Sequence, residues 1–318
     1  MKGCLVITLL TIETIAVFGQ NAQVIDGLVN TGAQNSTQTQ DGENWYSTYS
    51  ILPLELDLDN TVVNGQIFRF EGRLHADFRK FSVFLTDKRG KKDENAPFFM
   101  SVETDGKGQV ASIANGEWEE DVSFKHNLLP GQRFIIHVRC LAWRRVQLYV
   151  NFKFVLEHEI KQSLDNIKQV QISGNAFMER TEWGGSLLRV PFGKTLGAPT
   201  EGKIVITGKA NKDIALALVD NMLNKMFYMN VRFGENAIVL NNNKDNKYGE
   251  EVRYTNEAKF FNKGELFEIT LILTMDTIEI QHNTNLIAKF NHRVSSPASD
   301  YVGITIMQMS ELYNVMWS

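Results

Sequence analysis

The chain has 318 residues, 43% of them hydrophobic, and a formal net charge of -4. That length accommodates two domains of ordinary size. Twenty Phe against six Pro exclude a disordered chain, and the negative charge excludes a broad basic surface for nucleic acid.

Residues 1–19 read as a secretory signal. Lys2 supplies the charge, Cys4 to Val17 the apolar run, and Val17 and Gly19 the small residues before a cleavage at Gln20. Glu13 interrupts the run, which argues against a membrane anchor, and no other stretch is long and apolar enough to span a bilayer. A secreted, extracellular product is therefore expected. Cys4 would leave with the signal, and Cys140, between Arg139 and Leu141, is expected to pack in a strand rather than act as a nucleophile or in a disulfide. Residues 20–46, rich in Gln, Asn, Thr and Gly, read as a flexible leader, with Asn35-Ser36-Thr37 a glycosylation sequon.

From there the pattern becomes short apolar alternations broken by turns, which predicts an all-β sandwich. In a first unit, 47–178, Gln66 to Phe70, Phe81 to Leu85, Phe134 to Cys140 and Val146 to Phe154 read as strands. Ser163 to Val170 is the expected helical turn or loop. Residues 179–188, with Trp183-Gly184-Gly185-Ser186, read as a linker. The second unit, 189–318, repeats the plan of the first. Phe70-Glu71-Gly72-Arg73 parallels Ile206-Thr207-Gly208-Lys209, and both Phe98 to Trp118 and Tyr228 to Tyr248 span 20 positions.

The chemistry concentrates between Tyr228 and Arg253. Tyr228, Asn230 and Arg232 alternate with Met229, Val231 and Phe233, which puts the polar three on one face of a strand. Asn241 follows nine residues after Arg232 and Tyr248 seven after that; Glu251 and Arg253 share a face again. Amides and a carboxylate accept from hydroxyls, guanidiniums donate to them, and a ring covers a C–H surface, so the set suits an uncharged polyol. A solvated outer sheet face would carry similar residues.

This stretch resembles the sugar-binding segment of galectins, in which His, Asn and Arg alternate, followed by Asn and then by Trp with Glu at +3 and Arg at +5. Asn230, Arg232, Asn241, Glu251 and Arg253 match; Tyr228 stands at the His position and Tyr248 at the Trp position. Arg189-Val190-Pro191-Phe192, Asn262 to Ile269 and Phe290-Asn291-His292-Arg293 resemble other segments of the family, as do Gly131-Gln132-Arg133-Phe134 and Tyr149-Val150-Asn151 in the first unit. The resemblance implies two jelly-roll β-sandwich domains in tandem and a β-galactoside-binding lectin without enzymatic activity, cofactor or metal. By it, Asn230 and Arg232 would read the axial hydroxyl of galactose, Asn241 and Glu251 the exocyclic one, Tyr248 would stack on the sugar, and Arg253 would support Glu251. The partners implied are galactose-containing glycans, which the chain would cross-link if both domains bound. A signal peptide departs from the usual pattern of the family.

The same spacing sets Phe98, Met100, Val102, Ala111, Trp118, Asp121 and Ser123 at the corresponding places of the first domain, a degenerate site that keeps only Trp118 and a shortened acid, Asp121. Sugar binding is therefore expected mainly from the second domain; the alternative is a secreted protein-interaction module on the same fold. Metal and catalytic chemistry find no support. Glu157-His158-Glu159 alternates on a strand, and the adjacent Glu250 and Glu251 face opposite ways, unlike a glycosidase pair.

Overall fold

The computed structural model describes residues 36–40, 43–87, 94–196 and 202–317; the expected signal, the start of the expected leader and Asn35 lie outside the described residues. The fold is all-β, in two sandwiches. The first runs through β1 (Ser36–Gln40), β2 (Glu43–Ile51), β3 (Leu54–Asp57), β4 (Ile67–Leu74), β5 (Lys80–Thr86), β6 (Ala96–Glu103), β7 (Lys107–Ala114), β8 (Glu117–Lys125), β9 (Arg133–Leu141), β10 (Arg145–Val150), β11 (Lys153–Glu159), β12 (Gln169–Gly174) and β13 (Ala176–Gly184). The second contains β14 (Phe192–Thr195), β15 (Gly202–Lys209), β16 (Ile214–Val219), β17 (Lys225–Arg232), β18 (Ala237–Lys244), β19 (Lys247–Tyr248), β20 (Val252–Thr255), β21 (Leu266–Leu273), β22 (Thr277–His282), β23 (Asn285–Asn291), β24 (Gly303–Gln308) and β25 (Glu311–Trp317).

Each sandwich pairs two antiparallel sheets. In the first domain these are β3-β12-β5-β6-β7-β8 and β1-β2-β13-β4-β9-β10-β11; in the second, β14-β24-β16-β17-β18-β19, with β20 beside β18, and β23-β22-β21-β15-β25. Inward-facing side chains fill each core. Phe68, Phe81, Phe98, Phe134 and Trp183 belong to one, and Phe227, Met229, Ile269, Ile280 and Tyr301 to the other.

Two expected boundaries are corrected. The end of the supposed leader is strand: β1 and β2 form a hairpin, and β2 joins the first domain through β13. The Gly-rich segment that suggested a linker from residue 179 is largely β13. Trp183 is 1% exposed and its ring lies 6.0 Å from that of Phe68, so burial holds this stretch in the first core. The connection is shorter and begins at Gly185, and Leu188 already bridges Leu312 of the second domain. Near Ser163 the chain makes a 3-10 turn, Leu164–Asn166, capped by the Ser163 hydroxyl.

The seven-stranded sheet of the first domain and the five-stranded sheet of the second pack against each other by their outward faces. Ile67 and Tyr149 of one meet Leu266 and Tyr313 of the other in a buried apolar cluster. Beside it, Arg69 lies within 3.3 Å of Glu268 across the interface and also pairs with Glu71 and Glu182 of its own sheet. Burial opposes the Arg69 charge, yet Glu268, Glu182 and Glu71 together hold its pKa above the ordinary guanidinium value. Arg139 reaches Glu311 at 3.1 Å and stacks 3.9 Å from the Tyr313 ring centroid. The β3-containing sheet and the β17-containing sheet are therefore the outer layers of a four-layer stack.

Candidate binding face of the second domain

The expected alternation at Tyr228 holds. Met229 and Val231 are fully buried in the core, while Tyr228, Asn230 and Arg232 face outward from β17. β18 lies alongside with Tyr228 opposite Asn241, and β20 brings Arg253 opposite Val239. Strand pairing thus gathers residues from 228 to 253 on one outer sheet surface.

Their side chains form a continuous polar network. The Asn230 amide donates to the Tyr228 hydroxyl at 3.0 Å, and Arg232 Nε donates to Asn230 Oδ1 at 3.1 Å. Arg232 also donates to Glu251 at 3.4 Å and to Glu235 at 3.2 Å. Arg253 donates to Glu251 at 3.1 Å and closes the loop on Glu235. The bond from Arg253, followed by the charges of Arg232 and Arg253, holds the Glu235 carboxyl below its usual pKa. Two cations alternate with two anions, so each charged group is oriented by its neighbours while remaining open to solvent. Such a face presents oriented donors and acceptors to hydroxyls without a net charge.

Tyr248 stands apart, 62% exposed, with its ring free to cover an apolar sugar face. Asn241 is 3% exposed and is oriented from behind: its amide donates to the Gly249 carbonyl at 3.1 Å, and its oxygen accepts from the Asn242 backbone N–H at 2.8 Å. The structure thus brings all seven expected residues to one face, six through shared hydrogen bonds or strand pairing and Tyr248 on the adjoining short strand β19.

Two participants were not foreseen. Glu235 sits in the 3-10 turn Phe233–Glu235, three residues after Arg232, and that i, i+3 spacing to a guanidinium was the available signal. Arg293 follows β23 of the opposite sheet and reaches Asn241 and Asn242; no local pattern announces it.

The outer face of the first domain is different. Phe99 pairs with Ala111 as Tyr228 does with Asn241, Val110 with Val122 as Leu240 does with Val252, and Ile113 with Trp118 as Asn243 does with Tyr248. The counterparts on β6 are therefore Phe99, Ser101 and Glu103, which corrects the expected Phe98, Met100 and Val102; these three are fully buried in the core. The turn between β6 and β7 is one residue shorter than that between β17 and β18, so equal sequence spacing shifted the register by one. Ala111, Trp118, Asp121 and Ser123 keep the places expected of them. Phe99 fills the space beside Trp118, edge to face at 4.8 Å, and packs on Phe84 at 4.6 Å. Glu103 stands in the place of Arg232 and pairs with Lys80 at 3.0 Å. Hydrocarbon and a reversed charge thus replace the donors of the second domain.

No group of His, Cys, Asp and Glu among the described residues could hold a metal ion. His158 is buried, whereas Glu157 and Glu159 point to the other side of β11. Cys140 is buried and burial pushes its thiol pKa up to about 12, far from a nucleophile's.

Comparison with known proteins agrees with this geometry. The model of the galactoside-binding lectin family matches residues 53–183 and 194–317. The 32 kDa beta-galactoside-binding lectin of Haemonchus contortus is 26% identical over 280 residues, covering 85% of this chain and 96% of that protein. Its namesake in Caenorhabditis elegans is 26% identical over 272 residues, covering 83% and 95%. Among solved structures, sheep galectin-11 in complex with glycerol has a TM-score of 0.38 at 16% identity and covers 41% of this chain and 96% of its own. Caenorhabditis elegans galectin LEC-6 has a TM-score of 0.38 at 11% identity, covering 42% and 92%. With two successive matches that together span most of its length, the chain belongs to the galactoside-binding lectin family as a two-domain galectin.

Proposed function

We propose that this protein is a secreted lectin that binds β-galactoside glycans through the outer sheet of its second domain. It is a carbohydrate-binding protein and not an enzyme. The observation that carries the reading is the closed Arg232–Glu251–Arg253–Glu235 loop beside Asn230, Asn241 and the exposed Tyr248 ring. It supplies oriented donors and acceptors for hydroxyls and one apolar platform, the two things a galactoside presents. The two relatives named as beta-galactoside-binding lectins support the same ligand class. Among the described residues no helix is long and apolar enough to cross a membrane.

The first domain contributes little to sugar recognition on this reading. Phe99 occupies the place of Tyr228, and no guanidinium stands at the positions of Arg232 and Arg253. Phe84 and Phe99 are buried there with Ala96, Ala111 and Ile113, and of the three rings only Trp118 is exposed, so hydrocarbon fills the place a sugar would take.

Calorimetric titration of the full chain with lactose tests the reading. One saturable site per chain is expected. Arg232→Ala should abolish it, because the variant loses a donor to the sugar and releases Asn230, Glu235 and Glu251 from their shared partner. Two equal sites, or undiminished binding by Arg232→Ala, would refute the assignment.

A further inference from the structure

We propose that Arg293 is a positioning residue of the galactoside site: it locks the Asn241 side-chain amide in the one orientation that offers an N–H to the sugar. The inference rests on the galactoside reading above and adds a residue outside the sugar-facing stretch.

Arg293 lies just beyond β23, in the sheet that faces the other domain, yet its side chain comes round to the binding sheet. Its Nη1 donates to Asn241 Oδ1 at 3.2 Å and to Asn242 Oδ1 at 2.9 Å, and its guanidinium lies 5.0 Å from the Phe290 ring centroid. Asn241 Oδ1 thus accepts from two donors, Arg293 and the Asn242 backbone N–H. A carbonyl oxygen has two lone pairs, so its capacity is filled. The Nδ2 group has two hydrogens, and one goes to the Gly249 carbonyl. What remains is a single N–H. Asn241 can therefore only donate to a ligand, and a hydroxyl oxygen is its natural acceptor.

Arg293 also decides which way the amide points. Flipped, Asn241 would set its NH2 against two donors, with no acceptor between them. Remove Arg293, and the flip is opposed by the Asn242 N–H and the Gly249 carbonyl alone, one donor fewer on the oxygen. The same guanidinium explains a local glycine. A Cβ on Gly249 would come within 2.7 Å of Arg293 Nη1 and 2.3 Å of Asn242 Oδ1, so Gly249 leaves the room in which the lock sits. Gly249 follows Tyr248, and its N–H is held by the Asn242 carbonyl at 3.1 Å, which fixes the turn beside the lock.

The sugar group at stake is the exocyclic hydroxyl, the one that Asn241 is expected to contact. Titrations of the full chain with lactose and with its analogue lacking the hydroxyl on galactose C6 separate this from general damage. Arg293→Ala should lose about three- to tenfold of its lactose affinity, the range of one hydrogen bond, and leave affinity for the deoxy analogue unchanged. Arg293→Lys, which keeps a donor for both asparagine oxygens, should recover part of the loss. Equal losses on both sugars, or none, overturn the proposal. Wild-type protein that binds neither sugar overturns the galactoside reading instead. In that event the lock is judged without ligand, by the Asn241 side-chain NH2 resonances: Arg293→Ala should shift and broaden them, and unchanged resonances overturn it.

Discussion

Removing Arg69 tests the argument that a buried charge cluster joins the domains. Its guanidinium is buried within 3.5 Å of three carboxylates, Glu71, Glu182 and Glu268, each also nearly inaccessible. Arg69→Met keeps much of the stem but leaves those acids facing one another without their cation. Breaking a buried pair in this way costs about 3–5 kcal/mol, and Arg133 and Arg180 compensate only Glu71, Glu179 and Glu182 at the margin. Burial already raises the Glu182 pKa against the pull of Arg69, and loss of that cation raises it further. The penalty is therefore full at neutral pH and shrinks as falling pH protonates Glu182, whose folded pKa lies above its unfolded one. Urea unfolding followed by Trp fluorescence reads the effect, since Trp183 is buried in the adjoining strand while Trp118 and Trp143 are already exposed. The variant should lose about 3 kcal/mol or more at pH 7.5 and clearly less at pH 5, and its domains should unfold in separate transitions. A loss below about 1 kcal/mol, typical of a surface pair, or one that grows on acidification, would refute the reasoning.

Tyr248→Ala should weaken lactose binding by about 0.5–1.5 kcal/mol, the range of an aromatic contact, without changing the unfolding midpoint, because the ring is exposed; Tyr248→Trp should strengthen it, and titration of both variants checks the pair. Acid should also destabilise the wild-type fold through its buried histidines. Burial lowers the His282 pKa to about 4 and, together with the Arg69 charge, pushes that of His137 well down. Between the ordinary value and the depressed one the unfolded chain holds a proton that the folded chain does not, so stability falls as pH drops below about 6.5. For His282 the loss is about 2 kcal/mol by pH 5, and urea unfolding of His282→Phe should show a correspondingly smaller acid loss than wild type.

The sheet face of the second domain was legible because its information is local. Tyr228, Asn230 and Arg232 alternate within one strand, and Glu251 and Arg253 within another, so a period of two suffices to place them together. Trp183 was misread because Gly184 and Gly185 looked like punctuation; both adopt positive φ at the end of a strand whose Trp is in the core. In the first domain the register failed by one residue because the spacing of the second domain was carried over, although Ser101 and Glu103 alternate on β6 and mark its outer face. Phe98 and Phe99 are both apolar, and both the alternation with Ser101 and Glu103 and the shorter following turn put Phe98 on the core side. Arg69, Glu71 and Glu268 were illegible for a different reason. On a single sandwich they would be ordinary outward polar residues, and only a second domain laid over the sheet makes them buried. Arg293 shares that difficulty, since its partners are 51 and 52 residues away.

That interdomain packing limits how the lectin can gain avidity. Two sites on one chain reinforce each other only if both can engage the same target, and the gain disappears where geometry forbids it. Here the two potential sugar sheets are the outermost layers of a four-layer stack, with the Arg69–Glu268 and Arg139–Glu311 pairs between the inner ones. A sugar face on the second domain therefore points away from the face of the first. A first domain that bound sugar would reach a different surface and not a neighbouring glycan on the same one. On the proposed reading, the absence of a phenol at Phe99 and of guanidiniums at Glu103 and Ser123 removes a bridging contact between two surfaces and leaves affinity for a single surface to the second domain. If the second domain alone binds sugar, as proposed, cross-linking by this chain requires a second copy.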